Sequence, residues 1–189
     1  MAKKLILSTI LGALVLFIWS FISHVAIPWY PMTMGNFSNE DAVGFVISKS
    51  TVSSGIYVYP GMEHRPGMTK EESKTAMERQ MEKSKKGPVV FAAVNTKGIT
   101  SWTPHLAVSF AINLITALLV SLLLLKAGFA TYWSRVFCSV LIGFITFVVV
   151  HLQYWNWYSF NNGFTFVSGL DTVVGFFLMG LLVARFTKK

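Results

Sequence analysis

Three of the four histidines and one acidic residue of this 189-residue chain lie in long apolar segments, where ionisable side chains are costly. His24, His105 and His151 each lie near one end of such a segment, and Asp171 lies further inside the last one. Neutral imidazole is the commonest metal ligand. Three imidazoles near segment ends, with one carboxylate further inside, therefore suggest a metal or haem site, or a quinone, lipid or proton site. Because no His-x-x-x-His or Glu-x-x-His spacing is present, the pattern favours structural, interfacial histidines, and we expect no cofactor.

Asp171 lies about 12 Å along its segment at the helical rise of 1.5 Å per residue, and polar residues occur at the same depth in the other apolar segments. These residues are Ser20, Asn113 and Thr146, which predicts one intramembrane polar layer. We predict that Asp171 contacts Asn113, directly or through Ser20 or Thr146, since an amide can donate to a carboxyl group in either protonation state. The functional alternative is a proton or cation site at the same carboxylate.

Motifs for nucleophilic or nucleotide chemistry are absent from the sequence. It contains no Gly-x-Ser-x-Gly, no Cys-x-x-Cys, no P-loop and no dinucleotide fingerprint. The single cysteine, Cys138, is expected to be inert packing and excludes a disulfide scaffold. The motifs therefore leave catalysis uncertain and favour a protein that is not an enzyme.

The elements that must position these residues are membrane spans. Hydrophobic residues make up 53% of the chain and charged residues 13%, which excludes a soluble enzyme and a disordered tail. Four windows are long and apolar enough to cross a bilayer, which takes about 20 helical residues: Leu5 to Ile27, His105 to Leu125, Tyr132 to Tyr154 and Gly163 to Ala184. We predict a membrane all-α fold, a four-transmembrane-helix bundle, with a small α+β extracytoplasmic loop domain between spans 1 and 2.

Basic residues of the short segments indicate the orientation. The loop Trp155 to Asn162 carries no charge, whereas the opposite side carries Lys3, Lys4, Lys126, Arg135, Arg185, Lys188 and Lys189. By the positive-inside rule both termini are cytoplasmic and the long loop is external, which means periplasmic in a bacterial inner membrane. The net charge of +8 is then a topology signal, and no nucleic-acid partner is expected.

The predicted domains are residues 1–27 as the first span, 28–104 as the external domain, and 105–189 as the remaining spans with a cytoplasmic C-terminus. Within the external domain the sequence predicts two helices and two paired strands. The signals are a helix start at Ser38-Asn39-Glu40-Asp41, a strand from Gly55 to Gly61, a capping box at Thr69 to Glu72, a helix end at Gly87-Pro88, a strand from Val89 to Val94 and a turn from Asn95 to Gly98. Its core is too small for stability alone, so it is expected to rest on the membrane domain or on a partner.

Four short motifs follow one another along the chain. They are Pro28-Trp29 after the first span, Gly-x-Tyr-x-x-Pro-Gly from Gly55, Gly-Pro-Val from Gly87, and Tyr-Trp-Asn-Trp-Tyr from Tyr154. With these motifs the chain resembles, over nearly its full length, a family of small uncharacterised four-span bacterial inner-membrane proteins. The resemblance implies a fold and supplies no reaction.

Two classes of function remain open on the sequence. The first is a non-catalytic accessory or assembly subunit, partnered by the lipid bilayer and by other membrane-protein subunits, whose external domain contacts a larger complex. The alternative is a membrane redox or metal, haem or quinone-site protein that uses Asp171 and the outer-leaflet histidines. Small size and missing catalytic motifs favour the first class.

Overall fold

A computed structural model of the chain describes residues 2–188, which form two compact units. One unit comprises the described residues up to Gly35 together with those from Thr100 onward, and the other is Asn36–Ile99. The elements in chain order are α1 (Ala2–Phe21) with a π-helical end π1 (Ile22–Ala26), α2 (Trp29–Thr33), α3 (Glu40–Ser50), β1 (Gly55–Tyr59), α4 (Lys70–Lys86), β2 (Val90–Val94), α5 (Thr103–Ala127), α6 (Tyr132–Thr146) continuing through π2 (Phe147–His151) into α7 (Leu152–Tyr158), and α8 (Asn162–Phe186).

Four helices of the described residues are long and apolar enough to cross a membrane. They are Ala2–Ala26, Thr103–Ala127, Tyr132–Tyr158 and Asn162–Phe186. Each contains or overlaps one of the windows predicted from the sequence, so those four long apolar helices are confirmed. The structure extends them by one to four residues at most of their ends, because backbone hydrogen bonding continues past the strictly apolar stretch.

The helices α1 and α8 form the central pair of their unit. The helix α5 packs on the side of α1, and α6 packs on α8, while α5 makes only slight contact with α6 and α8. The core between them consists of small and medium-sized side chains: Ala13, Leu16, Ala117, Val120, Leu124, Met179 and Val183. Most larger apolar side chains of these helices point outward.

Glycines set how closely α8 approaches its neighbours. A Cβ on Gly180 would lie 2.8 Å from the Ser139 Cβ of α6, and the Phe147 ring of π2 lies directly over Gly169. On α1, a Cβ on Gly12 would lie 2.9 Å from Val183. Such small-residue contacts let membrane helices gain dispersion energy without a hydrophobic driving force between them.

The C-terminal end of α8 is held by side chains at the start of α6. The Tyr132 hydroxyl donates to the Leu181 carbonyl at 2.8 Å, and Arg135 Nε donates to the Ala184 carbonyl at 3.0 Å. A further Arg135 nitrogen donates to the Phe129 carbonyl at 2.8 Å, and the side chain is only 4% exposed. A cation at a helix C-terminus satisfies unpaired carbonyls and complements the helix dipole. Arg135 therefore has a packing role besides the topological one assigned from the sequence.

The unit Asn36–Ile99 contains the predicted strand pair and helices. The strands β1 and β2 are antiparallel, with Tyr57 opposite Ala92, and both halves of the capping box at Thr69 are formed. The first helix is capped by the Asn39 amide oxygen, within the predicted helix start. The helix α2 precedes this unit in the chain and packs against α8.

We expect Gly180→Ala to lower the free energy of unfolding by about 1–3 kcal/mol, since the new methyl group forces α6 and α8 apart. Thermal unfolding in detergent, followed by circular dichroism, measures the change. Gly44→Ala is the control, because a Cβ there meets nothing within 4 Å and alanine favours a helix. Equal melting temperatures for wild type and Gly180→Ala would contradict the close approach.

Candidate functional site

The helix α2 folds back over the first half of α8 and is tied at both of its ends. At its start the Trp29 indole donates to the Ser23 carbonyl at 2.8 Å. At its end the Thr33 carbonyl accepts from the Asn161 side chain at 2.7 Å, and the oxygen of the same Asn161 caps α8 by accepting from the Phe164 N–H at 2.7 Å. One asparagine therefore joins α2 to the beginning of α8.

This arrangement brings Tyr30 to Asp171. The Tyr30 hydroxyl donates to Asp171 Oδ2 at 2.9 Å, across 141 residues of sequence. The Trp19 indole donates to the backbone carbonyl of Asp171 at 3.0 Å, so α1 reaches the same residue. We call Tyr30, Asp171, Trp19 and His24 the tyrosine–aspartate site.

His24 completes the site from π1. Its ring stacks on the ring of Tyr30, with centroids 4.4 Å apart and planes 21° from parallel. Its Nδ1 lies 3.0 Å from the Ser20 carbonyl, which favours the tautomer with a proton on Nδ1 and leaves Nε2 as an acceptor. The Phe164 ring meets Tyr30 edge-on from α8, at a centroid distance of 5.9 Å.

The carboxyl group of Asp171 is only half satisfied. Its Oδ2 accepts from Tyr30, whereas Oδ1 is shielded from solvent and has no hydrogen-bond partner in the described chain. A buried acceptor without a donor is costly, so this oxygen has the capacity to accept a proton or a donor group. The unpaired Oδ1 oxygen of Asp171 is therefore the reactive group of the site.

Tyr30 acts as a hydrogen-bond donor over the whole ordinary pH range. Burial and, second, the neighbouring carboxylate of Asp171 raise the pKa of Tyr30 from 10.0 to about 12. Both effects disfavour the phenolate, because a second negative charge would be poorly solvated and close to the first. The site therefore holds a neutral phenol against the carboxyl group.

The predicted contact between Asp171 and Asn113 is wrong. The Asn113 side-chain nitrogen is buried without a partner, and Asp171 is bound by Tyr30 instead. The physical reason is that α5, which contains Asn113, packs mainly on α1, whereas Asp171 lies on α8 and is covered by α2. The Ser20 and Thr146 hydroxyls donate to carbonyls of their own helices at 2.9 and 3.0 Å, so neither bridges to Asp171.

The three histidines predicted as ligand candidates have different surroundings. His24 belongs to the tyrosine–aspartate site, and His151 Nε2 lies 3.1 Å from the hydroxyl of Thr172, the residue after Asp171. His105 is exposed, and its ring lies 5.8 Å from that of Trp102. Within residues 2–188 no three His, Cys, Asp or Glu side chains are grouped as a metal site would require, and the metal or haem alternative stays a prediction.

Sequence reasoning missed Tyr30 as a partner of Asp171. Trp and Tyr are typical of the aromatic belt at a span end, which explains the residue types at positions 29 and 30 but not their contacts. The available signal was Pro28 directly after the span, since proline is favoured where a helix restarts. Nothing in the local pattern specifies that the restarted helix turns back onto α8.

Comparison with protein-family models, with curated proteins and with solved structures gives no match to this chain. The resemblance to a four-span bacterial family therefore stays a prediction.

Replacing Tyr30 by phenylalanine removes the hydrogen bond to Asp171 and keeps the ring. We expect the free energy of unfolding to fall by about 1 kcal/mol near neutral pH. Because the pKa of Tyr30 is raised on folding, its contribution is complete below pH 10.0 and is lost as the pH rises through about 12. The stability difference between wild type and Tyr30→Phe should therefore shrink as the pH rises above 10 and vanish before pH 12.

Denaturant unfolding in detergent at a series of pH values measures this convergence. Tyr154→Phe, which removes the hydroxyl of an exposed tyrosine, is the control. If the difference in the free energy of unfolding between wild type and Tyr30→Phe stays constant up to pH 12, the hydroxyl proton of Tyr30 does not contribute to stability.

Proposed function

We propose that the chain is a multi-pass protein of the bacterial inner membrane, a non-catalytic accessory or assembly subunit. In this proposal the unit Asn36–Ile99 lies outside the cytoplasm and contacts a larger membrane complex. The observation that carries it is the large apolar surface that this small unit leaves uncovered.

The membrane location is supported by the outward faces of the long helices. Ile18, Phe137 and Phe166 lie on three of these helices and are each more than half exposed. Apolar surface of this extent would be unstable in water, whereas lipid solvates it. The polar side chains of the same helices mostly bond to backbone carbonyls, as they must where water is absent.

The partner role rests on the poor core of the unit Asn36–Ile99. Its fully buried residues are Pro60 and Ala76, and neither β1 nor β2 packs extensively on α3 or α4. Val52 is 100% exposed, and exposed large apolar side chains occur on every element of the unit. A unit of this size gains too little from its own core, so burial against a partner supplies the missing stabilisation.

The proposed contact centres on three methionines, which we call the methionine patch: Met62, Met77 and Met81. Their side chains are 75%, 62% and 49% exposed. Met77 and Met81 are four residues apart on α4 and so share one face, and Met62 lines the same shallow cavity as Met77. Flexible thioether side chains adapt to apolar partner surfaces, which makes exposed methionine typical of binding sites.

Native electrophoresis of mildly solubilised membranes tests the partner role. We expect wild type in a high-mass form, and we expect the double variant Met77→Ser, Met81→Ser to lower the fraction in that form about fivefold, as for a loss of about 1 kcal/mol of binding free energy. The matched control is Lys74→Ser with Glu78→Ser, which has the same spacing on the same helix and changes exposed charged residues. Equal high-mass fractions in both double variants, or a band containing only copies of this chain, would refute the proposal.

The orientation is supported by the basic residues of the short segments, and thiol labelling of intact cells tests it. In a Cys138→Ala background, Lys74→Cys should react with an impermeant maleimide from outside. The exposed Lys126, at the far end of α5, replaced by cysteine in the same background, should react only after lysis. The reverse pattern would place the unit Asn36–Ile99 in the cytoplasm.

A redox or quinone-site protein is the second candidate function, and the unpartnered Asp171 Oδ1 beside Tyr30 favours it. In this alternative the carboxyl group of Asp171 exchanges a proton with a bound cofactor. His24 Nε2 accepts a hydrogen bond from the same cofactor. A visible absorption spectrum of the purified protein separates the two candidates when the cofactor is a haem, and extraction with organic solvent does so when it is a quinone.

A further inference from the structure

A crevice opens on the outer surface of the helical unit between the second half of the Tyr132–Tyr158 span and α8. Its upper part measures about 220 Å³ and is lined by Phe147, Leu152, Trp155, Asn162, Thr165 and Phe166. Phe147 and Phe166 also line an adjoining part of about 190 Å³, which continues along α8 to Val173. The two parts together form a groove, apolar over most of its length, with polar groups at its upper end.

Thr165 marks the polar end of this groove. The side chain is only 6% exposed, and its hydroxyl oxygen is shielded from solvent without a hydrogen-bond partner. At the same end of the groove the Trp155 indole donates to the Asn162 side-chain oxygen at 2.7 Å. An unsatisfied hydroxyl at membrane depth costs free energy. Thr165 lines the groove, and rotation of its side chain between staggered rotamers brings the hydroxyl to the groove, where an acceptor group can bind it.

The depth of Thr165 indicates the acceptor. The helix α8 has 25 residues and is therefore about 37 Å long, some 7 Å more than a hydrocarbon core of about 30 Å. Centred in the bilayer, it extends about 4 Å beyond the core at each end. Thr165 lies three residues after the first residue of α8, about 4.5 Å along the axis, which is the boundary where the ester carbonyls of phospholipids lie.

The remainder of the groove fits a hydrocarbon chain. From Thr165 to Val173 the groove follows α8 for about 12 Å, and Gly169 lets the Phe147 ring lie flat on the helix backbone as its floor. The lining of this part is apolar, so it suits an acyl chain and offers no group for a second polar ligand. We propose that the groove binds one glycerophospholipid, whose ester carbonyl accepts from the Thr165 hydroxyl and whose acyl chain lies along Phe147, Phe166 and Gly169.

This inference rests on the membrane location proposed above, but not on the partner role. It predicts that the protein binds a diester phospholipid more tightly than a diether phospholipid, a difference that bulk solvation by lipid does not produce. A diester phospholipid has the carbonyl acceptor, whereas a diether phospholipid with the same head group and chains lacks it. Thr165→Val keeps the shape of the side chain and removes its hydroxyl, and Thr165→Ser keeps the hydroxyl.

Native mass spectrometry of the full-length protein in detergent measures the binding of added dioleoylphosphatidylethanolamine and of its diether analogue. We expect wild type and Thr165→Ser to bind one diester lipid about fivefold more tightly than the diether, the ratio expected for one net hydrogen bond. In Thr165→Val the two lipids should bind equally. The control Thr172→Val removes an α8 hydroxyl that already donates to the Ser168 carbonyl at 2.9 Å, and it should keep the fivefold preference.

Three results would overturn the inference: an equal affinity of wild type for both lipids, a preference that persists in Thr165→Val, or displacement of the lipid by stoichiometric short-chain ubiquinone. Melting curves of the variants show that each is folded. Resistance of the protein to carbonate extraction from membranes separates failure of the lipid site from failure of the membrane location.

Discussion

Close contact with α8 is the constraint on which the helical unit depends. Lipid tails are as apolar as the helix surfaces, so helices gain little by hiding apolar side chains from lipid and must gain by dispersion contact and hydrogen bonding. Glycines on α8 allow the approach of α6, and the small core residues allow that of α1. Both ends of α8 are then capped by side chains: Arg135 donates to a carbonyl at its C-terminal end, and the Asn161 oxygen accepts from the Phe164 N–H at its N-terminal end.

The same constraint explains why the tyrosine–aspartate site occurs where it does. Trp19 of the first span and Tyr30 of the helix after it donate to Asp171, and His24 stacks on Tyr30. These contacts form because α1 and α8 are the central pair. The site therefore contributes to the packing of the helices and also contains a reactive carboxyl group. Its Oδ1 oxygen is shielded from solvent without a hydrogen-bond partner, and what distinguishes Asp171 from the surrounding serines and threonines is that its carboxyl group can carry a charge.

Local signals in the sequence were sufficient for the elements and insufficient for their pairing. The capping box at Thr69 and the four apolar windows specify structure within a few residues, because hydrogen bonding and solvation act locally there. The direction in which each helix faces was not readable. Asn113 and Asp171 are predicted at one depth, yet the packing of α5 on α1 and the return of α2 onto α8 are non-local choices that no spacing encodes.

The two π-helical segments, Ile22–Ala26 and Phe147–His151, add a consequence for how this chain tolerates change over evolution. Each accommodates the equivalent of one extra residue in a helix, and one residue turns a helix face by about 100°. Loss of a single residue within Ile22–Ala26 would leave hydropathy and span length almost unaltered, yet it would rotate His24 and the chain leading to Tyr30 away from Asp171. Insertions and deletions at these positions should therefore be selected against more strongly than substitutions of the apolar side chains around them.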